Sequence, residues 1–89
     1  MEFRWDEWNL WHVARHGVEP QEAEWVASHP RHRYPEWRRD GRAITCGPTE
    51  QGRLLQVVFV FDDAETVYII HARPLTPREK IRWRRRYKS

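Results

Sequence analysis

One cysteine in 89 residues, Cys46, excludes an internal disulfide and any cysteine-rich zinc centre. It makes a reducing cytoplasm the expected compartment. Serine occurs only at Ser28 and Ser89, so a Ser/His/Asp triad is poorly supplied. The four glycines form no phosphate-cradling loop. No apolar run approaches the ~20 residues needed to cross a membrane; the longest, Leu54–Phe61, is broken by Gln56. The opening Met1-Glu2-Phe3-Arg4 has no signal-peptide core. A length of 89 residues leads to the expectation of one domain, because domains typically run to roughly 100–150 residues. Residues 1–89 are therefore expected to form a single domain whose core is small.

Aromatic area is what the chain has in quantity: six Trp, three Tyr and three Phe. That is enough to hold a core in an otherwise polar sequence, and it argues against disorder. The net charge of +3 hides an asymmetry. From Arg73 to Ser89, eight Lys/Arg stand against one Glu, a balance of +7. Residues 1–72 hold eight Lys/Arg and twelve Asp/Glu, a balance of −4. The basic block contains Arg82, Arg84, Arg85, Arg86 and Lys88, interleaved with Trp83 and Tyr87. Arginine forks match phosphate oxygens, which suits RNA. The same residues also suit the solvated face of a last helix, with cations near its favourable end, or a dock for an acidic protein partner.

The pattern predicts the order β-α-α-β-β-β-α. Phe3-Arg4-Trp5 alternates as a short strand. Asp6 reads as an N-cap and Gly17 as the residue that stops the first helix. Trp8, Leu10, Trp11, Val13 and Ala14 form an apolar stripe, and Trp5, Trp8 and Trp11 are expected mostly in the core. Pro20 opens a second helix that buries Ala23, Val26 and Ala27 and ends at His29-Pro30. Residues 31–37 read as a loop or irregular edge strand, and Arg38–Cys46 as extended. Leu54–Phe61 reads as a central strand, hairpin-paired through the polar turn Asp62–Glu65 with Thr66–Ala72. Thr76-Pro77-Arg78-Glu79 is a capping box opening a last helix to about Tyr87. The expected class is α+β: two N-terminal helices on a twisted antiparallel sheet of about four strands, with a basic C-terminal helix.

His12 and His16 lie at i, i+4 on the first helix, a spacing that can chelate zinc. No third ligand is evident, so neither a metal nor a cofactor is expected. His29 and His32 fall in a polar loop. Cys46 reads as a small buried hydrophobe. Arg53, His71 and Arg73 flank strand ends, with Arg15 and His16 at the end of the first helix. These types suit metal-independent RNA cleavage. Arginine stabilises developing phosphoryl charge, and histidine transfers protons near neutral pH. In an antiparallel hairpin, Arg53 and Arg73 lie at one edge of the sheet and are expected to converge on one phosphate. Trp83 and Trp37, placed among arginines, can stack on bases or on a partner.

Several short stretches, in order along almost the whole chain, carry a family resemblance. Phe3-Arg4-Trp5-Asp6 is similar to F-x-W-D, and Arg15-His16-Gly17-Val18 to K-H-G-V. Gln21-Glu22-Ala23 matches the helix that follows. Arg31–Arg38 is similar to R-H-S-x-x-E-x-R, Gly52–Phe59 to G-R-x-L-x-V-V-[YF], and Ile69–Arg73 to I-I-S-A-R, followed by Glu79 and Tyr87. With these the chain resembles the BrnT-type toxins of bacterial type II toxin–antitoxin pairs, which have a RelE-like ribonuclease fold. Arg33 and His71 stand where the family commonly has Ser, His12 stands at its Asn, and Pro20 replaces an apolar residue. The resemblance implies a cytoplasmic endoribonuclease that cleaves RNA and arrests growth. A ribbon-helix-helix antitoxin would neutralise it and would alone contact operator DNA. Arg53 and Arg73 become the phosphate-binding and transition-state candidates, and His16 and His71 the proton-transfer candidates. Arg15, Arg78, Arg82, Arg85 and Trp83 are candidates for holding RNA. The alternative is a non-catalytic member that binds an antitoxin or RNA without cutting.

Overall fold

The computed structural model describes residues 1–63 and 65–87. Ala64 of the expected polar turn and Lys88 of the basic block lie outside the described residues. The elements are β1 (Glu2–Arg4), α1 (Glu7–Ala14), α2 (Pro20–Ser28), β2 (Glu36–Trp37), β3 (Ala43–Pro48), β4 (Leu54–Asp62), β5 (Thr66–Pro74) and α3 (Pro77–Arg86). They form an α+β fold with one five-stranded sheet in the order β1-β5-β4-β3-β2. The most apolar strand, β4, takes the centre, and β4 and β5 pair antiparallel as their short connection requires.

The sheet departs from the expected four antiparallel strands in two ways. β1 pairs with β5 in parallel, Phe3 opposite Val67. A parallel pair needs a long crossover, and everything from α1 to β4 lies between the two strands. A local pattern carries no trace of such a pairing. The fifth strand, β2, has two residues, Glu36 and Trp37, opposite Ile44 and Ala43, too few to show alternation. Arg38–Arg42 is a turn rather than strand, closed by the Arg38 N–H donating to Arg42 O at 2.8 Å.

Local chemistry sets the helix ends. Asp6 caps α1: its carboxylate accepts from the Asn9 N–H while the Asn9 side chain accepts from the Asp6 N–H. At the other end Gly17 adopts φ +71°, a left-handed conformation that glycine enters without penalty. The Val18 N–H then reaches back to Val13 O at 3.1 Å, and the chain turns sharply into α2. In α3, Thr76 accepts from the Glu79 N–H and Glu79 accepts from the Thr76 N–H.

The core lies on one sheet face. Leu55, Val57 and Phe59 of β4 and Val67, Ile69 and Ala72 of β5 meet Val13 of α1 and Ala23, Val26 and Ala27 of α2. Each larger side chain there contributes about 1.5–3 kcal/mol by leaving water. Trp5 packs on this cluster as expected, its indole N–H donating to Glu24 at 2.7 Å. Trp8 and Trp11 do not: they are 49% and 60% exposed, and Leu10 is 41% exposed. The buried positions of α1 are Asn9 and Val13, because a helix of eight residues meets the sheet along one narrow line. Asn9 is fully enclosed there, and its amide donates to Arg4 O at 3.1 Å.

Candidate functional site

The sheet face opposite the core gathers several of the candidate residues. Cys46, Gln56 and Arg73 are register partners across β3, β4 and β5, and Ile44, Val58 and His71 form the next row. A bulge makes this possible. Ile69 and His71 are two residues apart, so a regular strand would put both on one face. The register shifts between Val58 and Phe59, leaving Ile70 without a partner. The extra residue reverses the phase. Ile69 stays in the core, while His71 and Arg73 both occupy the open face.

Arg73 is held in place by α3. Its Nη1 and Nη2 donate to Glu79 Oε1 and Oε2 at 2.8 and 2.9 Å, a two-pronged pair that also fixes the plane of the guanidinium. Nη1 additionally donates to Pro74 O at 3.1 Å. Glu79 therefore both caps α3 and ties it to β5. The hydrogen bonds from Arg73, then that from the Thr76 N–H, hold its carboxyl down to about 2, and Arg73 is shifted upward in return.

His71 meets α1. Trp8, His12 and His16 recur every four residues and so line one side of that segment. Trp8 stacks on His12 at 3.7 Å and lies 6.4 Å from Tyr68, and the His16 ring meets His71 edge-to-face at 4.9 Å. Burial, followed by the charges of His16, Arg73, His12 and Arg15, pushes the His71 imidazole below its ordinary value. The lowered proton affinity disfavours a standing imidazolium at His71, which leaves the ring available as a proton acceptor. Arg15 stands at the exposed edge of this group, its guanidinium 5.0 Å from the Trp11 ring. Among the described residues no group of three His, Cys, Asp or Glu side chains is arranged to hold a metal.

Arg53 goes elsewhere, so the expected convergence with Arg73 does not occur. Its Nη1 donates to Gly17 O at 2.9 Å and to Glu22 at 3.0 and 3.3 Å, on the helix side of the sheet. The two guanidiniums share an edge of the sheet but are claimed by different carboxylates on different faces. Arg53 clamps the turn after α1, the turn that carries His16.

The arginines of α3 lie apart from this clamp. Arg78, Arg82 and Arg85 are exposed, and Trp83 is half-buried. Trp83 packs with Tyr87 at 4.0 Å and with Tyr34 at 6.4 Å, and Arg31 lies 5.9 Å above its ring. These rings border a cleft of about 280 Å³ between α3 and the open face, with Cys46, Gln56 and Glu36 on its sheet side. Burial pushes the Tyr34 hydroxyl up to about 12 and raises the Cys46 thiol. Trp37 is not part of this group: it stacks on Phe61 at 5.6 Å and is 53% exposed. Tyr34, Glu36 and Gln56 carry no site signal in the sequence, because only the register of β2, β3 and β4 brings them together. No protein-family model, curated protein or solved structure matches the chain.

Proposed function

We propose that the chain is a metal-independent endoribonuclease of RelE-like fold, the toxin of a type II toxin–antitoxin pair, acting on the open sheet face. The observation that carries the reading is the His16–His71 ring pair, 4.9 Å apart, with the fixed guanidinium of Arg73 two residues further along β5. Arg73 binds a phosphate and stabilises the charge that grows on it. His71, disfavoured as a cation, takes the proton from the ribose 2′-hydroxyl. The 2′-oxygen attacks phosphorus, the bond to the 5′-oxygen breaks, and His16 delivers a proton to that leaving oxygen. The products are a 2′,3′-cyclic phosphate and a 5′-hydroxyl. Arg15 and the arginines of α3 hold the flanking strand. A ribbon-helix-helix antitoxin with an acidic segment fits the same surface. No helix of the described chain is long and apolar enough to cross a membrane.

A second reading is favoured by one observation: both Arg53 and Arg73 already hold carboxylate partners, as purely structural arginines do. On that reading the chain binds RNA or an antitoxin and does not cut. Incubating purified chain and Arg73→Ala with single-stranded RNA separates the two. The proposal expects cleavage by the native chain and its near loss in the variant. No cleavage by the native chain, or equal cleavage by both, overturns it.

A further inference from the structure

We propose that the cleft between α3 and the open sheet face is a subsite for a single guanine base of the RNA, adjoining the phosphate held by Arg73. The subsite rests on reading this face as an RNA surface, but not on cleavage.

Three observations support it. The first is the aromatic wall. Tyr34, Trp83 and Tyr87 lie within 6.5 Å of one another with planes tilted by no more than 34°. All three rings line the cleft, and stacking on aromatic rings is how single-stranded RNA is commonly gripped. The cleft of about 280 Å³ sits just below the ~300–1,000 Å³ of small-molecule sites, which fits one base.

The second is the polar edge. Gln56 and Glu36 line the sheet side of the cleft, and Glu36 forms no ion pair among the described residues. Guanine carries two adjacent N–H donors on its pairing edge, which a carboxylate accepts together, and an oxygen that an amide N–H satisfies. Adenine presents an acceptor where guanine presents the ring N–H. Uracil offers the carboxylate one donor between two oxygens.

The third is the surroundings. Arg82 and Arg86 line the cleft, and with Arg33 and Arg85 they also border the adjoining hollow around Tyr87. None of these four forms an ion pair among the described residues. This basic track suits the phosphates that flank a bound base. On the other side, Gln56 is the register partner of Arg73. Neighbouring strands stand about 4.8 Å apart, so the cleft and the guanidinium are one nucleotide's reach from each other.

The test is binding, read separately from cleavage. The four nucleoside 5′-monophosphates are titrated into isotopically labelled chain, following the Trp83 indole N–H and the backbone around Cys46 and Gln56 by NMR. The expected result is shifts confined to the cleft, with GMP binding at least about tenfold more tightly than AMP, CMP or UMP. Glu36→Gln, on a two-residue edge strand, is expected to remove the preference for GMP while leaving the fold and weak stacking intact. Trp83→Leu should weaken all four by roughly tenfold or more, and Trp83→Phe should restore most of it. Equal binding of the four, shifts outside the cleft, or a GMP preference that survives Glu36→Gln overturns the subsite. So does a cleft that only an acidic peptide occupies. If GMP binds as expected while single-stranded RNA stays uncut, the ribonuclease reading fails and the subsite stands.

Discussion

Replacing Arg73 perturbs two things at once, and the structure says how to separate them. The guanidinium lies on the open sheet face, where we propose that it binds a phosphate, and it also anchors α3 through Glu79. Side chains here are 27% and 25% exposed, so the pair is only partly screened. Charge-assisted bonds in such a setting contribute about 1–2 kcal/mol. For a domain of this size each kcal/mol shifts Tm by roughly 4–8 °C, so Arg73→Ala is expected to melt several degrees lower. Glu79→Gln keeps an acceptor for the Thr76 N–H, because glutamine serves in a capping box, and keeps one oxygen for Arg73. It therefore loses less stability. Cleavage divides the two variants more sharply: Arg73→Ala loses about 10²–10³-fold in rate, whereas Glu79→Gln loses less than about tenfold. Thermal unfolding and initial rates on one RNA, measured for both variants, decide the matter. If Glu79→Gln slows cleavage as much as Arg73→Ala, Arg73 acts by holding α3 and not through the phosphate.

Glu79 is held at about 2 against an ordinary 4.5, so the stability it lends is fully present above pH 4.5 and is lost as pH falls toward 2. Melting curves across that range should fall more steeply for the native chain than for Glu79→Gln. Burial and neighbouring cations hold His71 below 6.5. It too contributes stability that is present above 6.5 and lost below. Its ring protons should titrate below that value by NMR and move upward in Arg73→Ala. Thr45 is 1% exposed, and its hydroxyl finds no partner among the described residues. Thr45→Val, of the same shape, removes an unsatisfied group and should raise stability by about 1 kcal/mol in denaturant unfolding.

What was legible in the sequence was local. Asp6, Gly17, Pro20 and the Thr76–Glu79 box mark helix ends because each satisfies backbone groups of its own turn. The apolar density of Leu54–Phe61 marks the central strand because that strand is covered by helices on one face and flanked by strands on both sides. Nothing local marks β1 as the parallel neighbour of β5, or the bulge at Ile70, where two isoleucines read as uninterrupted strand. Of the candidate residues, His71 and Arg73 share the open face as strand alternation requires, and His16 reaches His71. The placement of Arg53 escaped because the decisive partner, Glu22, lies 31 residues away on α2. Trp8 and Trp11 misled because apolar side chains mark a helical stripe without saying how much of it the sheet is wide enough to cover.

The central claim is that the His16–His71 imidazole pair makes RNA its own nucleophile. The most direct measurement is to map the termini that purified chain leaves on a single-stranded RNA, alongside His71→Ala. The account requires 2′,3′-cyclic phosphate and 5′-hydroxyl ends from the native chain, and their loss in a folded His71→Ala that still binds RNA. Ends bearing a 5′-phosphate, or wild-type cleavage by His71→Ala, would contradict it.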